Sequence, residues 1–122
     1  MVKKILVVDD EPDAIEILKS RLETSGYSVE SAVSGEECLK KAAQSKPDLI
    51  LLDVLLPQLN GFKICELLKE NAKTKDIPVI MLTALLGESA KEKSLESGAK
   101  YLISKPYYPE DLLRVIEDTL KK

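Results

Sequence analysis

The chain has 122 residues, 44% hydrophobic and 32% charged, with 18 Lys plus Arg against 21 Asp plus Glu and a formal net charge of −3. That length suits one domain and that composition a globular core, which excludes a disordered or fibrous chain; the acidic balance offers no basic surface for a phosphate backbone. The histidine count is zero, so Ser-His-Asp and Cys-His catalysis, His-ligated zinc and a histidine phosphodonor within the chain are excluded, leaving carboxylate, lysine, hydroxyl and backbone for chemistry.

In chain order, Ile5-Leu6-Val7-Val8 is the first apolar run and stops at Asp9 and Asp10. Short runs that are apolar throughout read as parallel strands covered on both faces. Ile15, Leu18 and Leu22 then stripe a helix that opens with Pro12 in its first turn and stops before Gly26. The stretch from Tyr27 to Val33 alternates and predicts a strand near a sheet edge. Ser34 and Glu37 form a capping box for a second helix that buries Leu39, Ala42 and Ala43. Leu49-Ile50-Leu51-Leu52 is a strand ending at Asp53, and Ile64, Cys65 and Leu68 stripe a third helix. Val79-Ile80-Met81-Leu82 ends at Thr83.

The segment from Glu88 to Ser97 has only Ala90 and Leu95 as apolar residues, which predicts the least anchored helix of the chain. Tyr101-Leu102-Ile103 ends near Lys105, and Pro109 opens a last helix striped by Leu112 or Leu113, Ile116 and Leu120. The two cysteines, Cys38 and Cys65, have no CxxC spacing and read as small apolar residues on buried helix faces of a reduced cytosolic protein. No signal peptide and no apolar run near the ~20 residues needed to span a bilayer is present, which predicts a soluble cytoplasmic protein without membrane contact.

Five β-then-α units predict an α/β fold of flavodoxin-like (βα)5 type. It is a three-layer sandwich around a five-stranded parallel sheet of order 2-1-3-4-5, one unit over residues 1–122. Ligands of such sheets bind at the carboxyl ends of the strands. Asp9 and Asp10, Asp53, Thr83 and Lys105 all fall there. Three carboxylates brought together repel unless a cation joins them, and oxygen-only ligands point to a hard ion, Mg²⁺ or Mn²⁺. With such an ion Asp53 can attack phosphorus, while Lys105, Thr83 Oγ and the Ala84 N–H contact phosphoryl oxygens.

Each residue also has a plain structural reading. Asp9 and Asp10 can cap the first helix, Asp53 can start a turn before Pro57 and Gly61, Thr83 can be an N-cap and Lys105 a solvated charge. The conjunction of four strand ends at one edge favours the chemical reading.

The chain resembles the receiver domain of bacterial response regulators, the CheY-like family, over its entire length. The residues that carry the resemblance are Ile5 to Pro12, Asp53 to Gly61, Leu82-Thr83-Ala84, Gly98-Ala99 and Lys105-Pro106. It implies that Asp53 accepts a phosphoryl group from a phosphohistidine on a sensor histidine kinase or histidine phosphotransfer protein, which supplies the imidazole this chain lacks. It also implies that Asp10 and Asp53 are direct metal ligands, with Asp9 acting through water and the Leu55 backbone carbonyl completing the set. Thr83 and Lys105 would contact the phosphoryl oxygens, the lysine oriented by a cis Lys105-Pro106 bond.

Receivers commonly carry an aromatic residue three positions before the lysine. Leu102 stands there, with Tyr101 on the opposite side of the strand, and Leu56 and Tyr107 replace the usual Met and Phe. Leu55 and Leu85, at positions that influence acyl-phosphate lifetime in the family, are apolar and predict slow self-dephosphorylation, over hours.

The expected output is altered binding to a downstream protein or effector domain, with no direct nucleic-acid contact by this domain. The phosphorylation-dependent face involves the helix after Thr83, which Leu85 and Leu86 either join or underlie as buried residues, and a phosphorylation-dependent homodimer is a further outcome. Two alternatives accompany the switch. One is a Mg²⁺-dependent phosphohydrolase of the haloacid-dehalogenase kind, which wants a second acid where Leu55 stands. The other is a receiver cut from a DNA-binding response regulator.

Overall fold

Each apolar run forms a strand and each amphipathic stretch a helix. The strands are β1 (Lys4–Val8), β2 (Ser28–Ala32), β3 (Leu49–Asp53), β4 (Val79–Thr83) and β5 (Tyr101–Ser104). The helices between and after them are α1 (Pro12–Thr24), α2 (Gly35–Ser45), α3 (Gly61–Glu70), α4 (Glu88–Glu96) and α5 (Pro109–Leu120). This computed structural model describes residues 2–56, 58, 60–84 and 88–121, the side chain of Glu88 excepted. All strands pair in parallel in the order β2-β1-β3-β4-β5, so the alternating run Tyr27–Val33 does supply an edge strand.

Successive side chains of a strand point to opposite faces, and the two faces hold separate cores. Leu6, Val8, Ile50 and Leu52 pack with Cys38 and Ala42 of α2 and Ile64, Cys65 and Leu68 of α3. Ile5, Val7, Leu49 and Leu51 pack with Ile15, Leu18 and Leu22 of α1 and with Leu112 and Ile116 of α5. A side chain of that size removed from water stabilises the fold by about 1.5–3 kcal/mol. The three central strands β1, β3 and β4 are therefore apolar on both sides because helices cover both sides.

The helices refine their sequence patterns. In α1 the expected stripe Ile15, Leu18 and Leu22 is buried. In α2 the buried residues are Gly35, Cys38 and Ala42, while Leu39 packs half-buried against the same core and Ala43 is also half-buried. The stripe turns toward Cys38 because that side is the one facing β1 and α3. In α5 the choice falls on Leu112; Leu113 and Leu120 are half-buried at the margin.

Ser34 caps α2 by accepting the Glu37 N–H at 3.2 Å, and Glu37 Oε1 accepts the Val33 N–H at 2.7 Å, one residue earlier than a standard capping box. Gly98 ends α4 at a φ of +98°, and a Cβ there would lie 2.7 Å from Lys69 Cγ. Lys69 runs past it to donate to the carbonyls of Ile77 and Lys75 at 2.6 and 3.1 Å, tying the end of α3 to the approach to β4.

Candidate functional site

The strand order turns between β1 and β3, and the carboxyl ends of these two strands carry the acidic residues. The β1–β2 ladder continues one step past Val8, where the Asp9 N–H donates to the Ala32 carbonyl at 3.1 Å. That bond fixes the direction of Asp9, whose side chain is buried, while Asp10 is exposed. Asp9 Oδ1 accepts the Glu11 N–H at 3.0 Å in a local turn just ahead of α1, whose N-cap is Glu11, so neither Asp9 nor Asp10 caps the helix.

Asp53 is the last residue of β3 and is 7% exposed. Its Oδ1 accepts the Leu55 N–H at 3.1 Å, and its Oδ2 lies 3.3 Å from Lys105 Nζ. The same ammonium stands 3.6 Å from Asp9 Oδ2. Lys105 is thus no solvated surface charge. It is placed by its own N–H, which donates to the Thr83 carbonyl at 2.7 Å, and its bond to Pro106 is cis as the resemblance implies. Thr83 ends β4, fully buried at the same sheet edge, and Ala84 follows it exposed on the rim.

One carboxylate oxygen each from Asp9, Asp10 and Asp53 lie within 4.8 Å of one another. An all-oxygen set of this kind suits a hard divalent cation. Burial pushes the Asp53 carboxyl above its ordinary value, aided by the Asp9 charge and opposed by the Leu55 N–H and Lys105. Burial pulls Lys105 down, but the Asp53 and Asp9 carboxylates outweigh it and leave the ammonium above its ordinary value. The lysine is therefore a fixed positive charge, and Asp53 is a poorly hydrated carboxylate with one oxygen held by backbone and the other beside that charge.

Three residues named in the sequence reading take parts in the site that it did not foresee. The Leu55 N–H orients Asp53, although only its carbonyl was expected to matter; its side chain is 51% exposed. Gly61 starts α3 against the back of the site: a Cβ there would meet the Asp53 carbonyl oxygen at 2.6 Å and Val54 Cα at 2.8 Å. Tyr107 lines the cleft with Asp9, Ala14 and Lys105, and burial raises its hydroxyl pKa, with Lys105 opposing. Leu102 is half-buried against the core on the α2–α3 side, as ordinary packing, and Tyr101 is exposed. Pro57, Leu59, Leu85, Leu86 and Lys122 lie outside the described residues.

Sequence comparison adds to this geometry. The family model of the response regulator receiver domain matches residues 5–117. The chain belongs to the response regulator receiver family. It is a receiver domain of the kind used in two-component signalling, and its similarity to known proteins runs along its full length.

It is 44% identical over 122 residues to the alkaline phosphatase synthesis transcriptional regulatory protein PhoP of Bacillus subtilis, covering 100% of this chain and 50% of that protein. It is 39% identical to the DNA-binding dual master transcriptional regulator RpaA of Synechocystis, covering 98% of this chain and 49% of that one. This receiver therefore spans about half the length of these curated relatives. Among solved structures, a response regulator from Chloroflexus aurantiacus superposes with a TM-score of 0.94 at 35% identity, each chain covered 100%. The chemotaxis protein CheY4 of Vibrio cholerae superposes with a TM-score of 0.93 at 32% identity, covering 98% of this chain and 100% of that one. No helix among the described residues is long and apolar enough to cross a membrane.

Proposed function

We propose that this receiver, acting as one unit over residues 1–122, accepts a phosphoryl group on Asp53 and passes the signal on by changed partner binding. The observation that carries the reading is the position of Lys105 Nζ, 3.3 Å from Asp53 Oδ2 and 3.6 Å from Asp9 Oδ2, beside three convergent carboxylates. The donor is a phosphohistidine on a sensor histidine kinase or a histidine phosphotransfer protein, because the chain has no imidazole of its own.

Asp9, Asp10, Asp53 and the Leu55 carbonyl would hold Mg²⁺, with Mn²⁺ as a substitute. The bound ion would neutralise phosphoryl oxygens that the carboxylates otherwise repel. Asp53 Oδ2 forms the new bond to phosphorus as the N–P bond to the partner's imidazole breaks, and the imidazole keeps the bonding electrons. Lys105 pairs with one phosphoryl oxygen, Thr83 Oγ donates to another, and the Leu55 N–H keeps Asp53 from rotating. The attacking group is already an anion, so no general base is required. The signal leaves through a downstream protein or an effector domain; the transcriptional regulators among its relatives favour a DNA-binding one. Leu55 stands where a phosphohydrolase needs its second acid, which weighs against turnover.

The test is incubation with acetyl phosphate or phosphoramidate and Mg²⁺, followed by intact-mass spectrometry. A single added phosphoryl group is expected, absent in Asp53→Asn and in chelator, and persisting for hours. Continuous phosphate release, or labelling that survives in Asp53→Asn, would overturn the reading.

A further inference from the structure

Helix α4 is seated unlike its neighbours. Where α3 and α5 bury Ile and Leu side chains, α4 and the residue after it bury Ala90, Ser94 and Ser97, at 7%, 1% and 3% exposure. The larger apolar side chain of this helix, Leu95, points outward and is 59% exposed. Two hydroxyls thus lie where aliphatic groups would ordinarily hold a helix, and their situations differ. Ser97 Oγ donates to the Ser94 carbonyl at 2.7 Å and stands beside the thiol of Cys65 on α3. Ser94 Oγ has no hydrogen-bond partner among the described residues, and no other buried side-chain oxygen or nitrogen is in that state.

We infer that Ser94 is a built-in destabiliser of the docked position of α4. A hydroxyl taken out of water without a replacement partner loses its hydration and gains nothing in return. When α4 lifts, Ser94 regains water, so the lifted position is favoured by the same group that weakens the docked one. The few apolar contacts of α4 leave little to oppose that motion. Lifting separates Ser97 from Cys65 and uncovers that thiol, while Cys38, which α2 presents to the sheet and α3, stays covered. The fold therefore carries an opening whose ease is set by one hydroxyl, whether or not Asp53 is the phosphoryl acceptor.

The experiment uses the unphosphorylated chain and reads α4 in two ways: hydrogen exchange of its amides by mass spectrometry, and alkylation of Cys65 against Cys38. In the wild-type chain Cys65 is expected to alkylate faster than Cys38. In Ser94→Ala both α4 exchange and Cys65 alkylation slow by about tenfold, well beyond the roughly twofold that helix propensity alone provides, with Cys38 unchanged. Ser97→Ala, the same substitution at a satisfied hydroxyl of the same buried face, leaves opening as fast or makes it faster. Equal slowing in both variants would mean a propensity effect and overturn the inference. So would unchanged α4 exchange in Ser94→Ala, or equal alkylation of the two cysteines in wild type.

Discussion

Lys105 reaches two carboxylates at once, 3.3 Å from Asp53 and 3.6 Å from Asp9, and remains about a third exposed. A pair open to water on one side contributes little to stability, so its value lies in holding a positive charge where phosphoryl oxygens would arrive. Behind it, Gly61 is the residue on which the position of Asp53 depends. The Cβ of Gly61→Ala would meet backbone atoms at 2.6 and 2.8 Å, and backbone cannot swing aside as a flexible side chain can. We expect this variant to lose about 1–3 kcal/mol of stability by urea unfolding. The displaced carboxylate should also slow labelling at Asp53. An unchanged midpoint would mean that the β3–α3 connection yields freely. Asp9, Asp10, Asp53 and Lys105 were legible in the sequence because each is a charge that ends an apolar run. Gly61 and the Leu55 N–H were not, since their roles come from backbone proximity that no side-chain pattern records.

At the level of elements, the boundaries followed from caps and breakers. Pro12 and Pro109 open α1 and α5, and Asn60 caps α3 by accepting the Lys63 N–H at 3.0 Å. Removing the hydroxyl that caps α2 in Ser34→Ala should cost about 1 kcal/mol, measured as a lower urea midpoint with unchanged slope. Burial direction was less legible than boundaries. The sequence pattern of α2 pointed to Leu39, Ala42 and Ala43; Ala42 is enclosed together with Cys38, while Leu39 and Ala43 stay half-buried, because the rotation of a helix is set by what it packs on. Helix α4 shows the same effect more sharply: Leu95 faces out and two serines face in. The expectation that α4 is weakly anchored survives this, and for a stronger reason. On the opposite side of the sheet from β5, the edge strand β2 is covered by Lys41, whose ammonium donates to the Ser31 carbonyl. A charged side chain over an open strand edge discourages pairing with another chain.

Taken whole, the molecule has an unusual titration profile. With no histidine, no side chain has an ordinary pKa between the carboxylates and the thiols. On the alkaline side, burial with the neighbouring Cys65 pushes the Cys38 thiol from 9.0 up to about 12. Burial raises the Tyr27 and Tyr107 hydroxyls as well. Above about pH 9 the unfolded chain loses a proton that the native Cys38 keeps, so stability falls as pH rises toward the native value, at up to about 1.4 kcal/mol per pH unit. Urea midpoints should be level from about pH 7 to 8.5 and decline beyond 9; a profile still level near pH 11 would contradict the burial of Cys38.

The sequence by itself determined the strand and helix order, the parallel sheet and the chemical kind of the site. Short apolar runs require cover on two faces, and the residues that end them must meet at one edge. Tertiary structure alone decided how far α2 and α4 turn their buried sides, how Gly61 braces Asp53, and that Ser94 lies buried without a partner. Those are outcomes of rotation and close approach between elements distant in sequence, and periodicity along one element does not contain them.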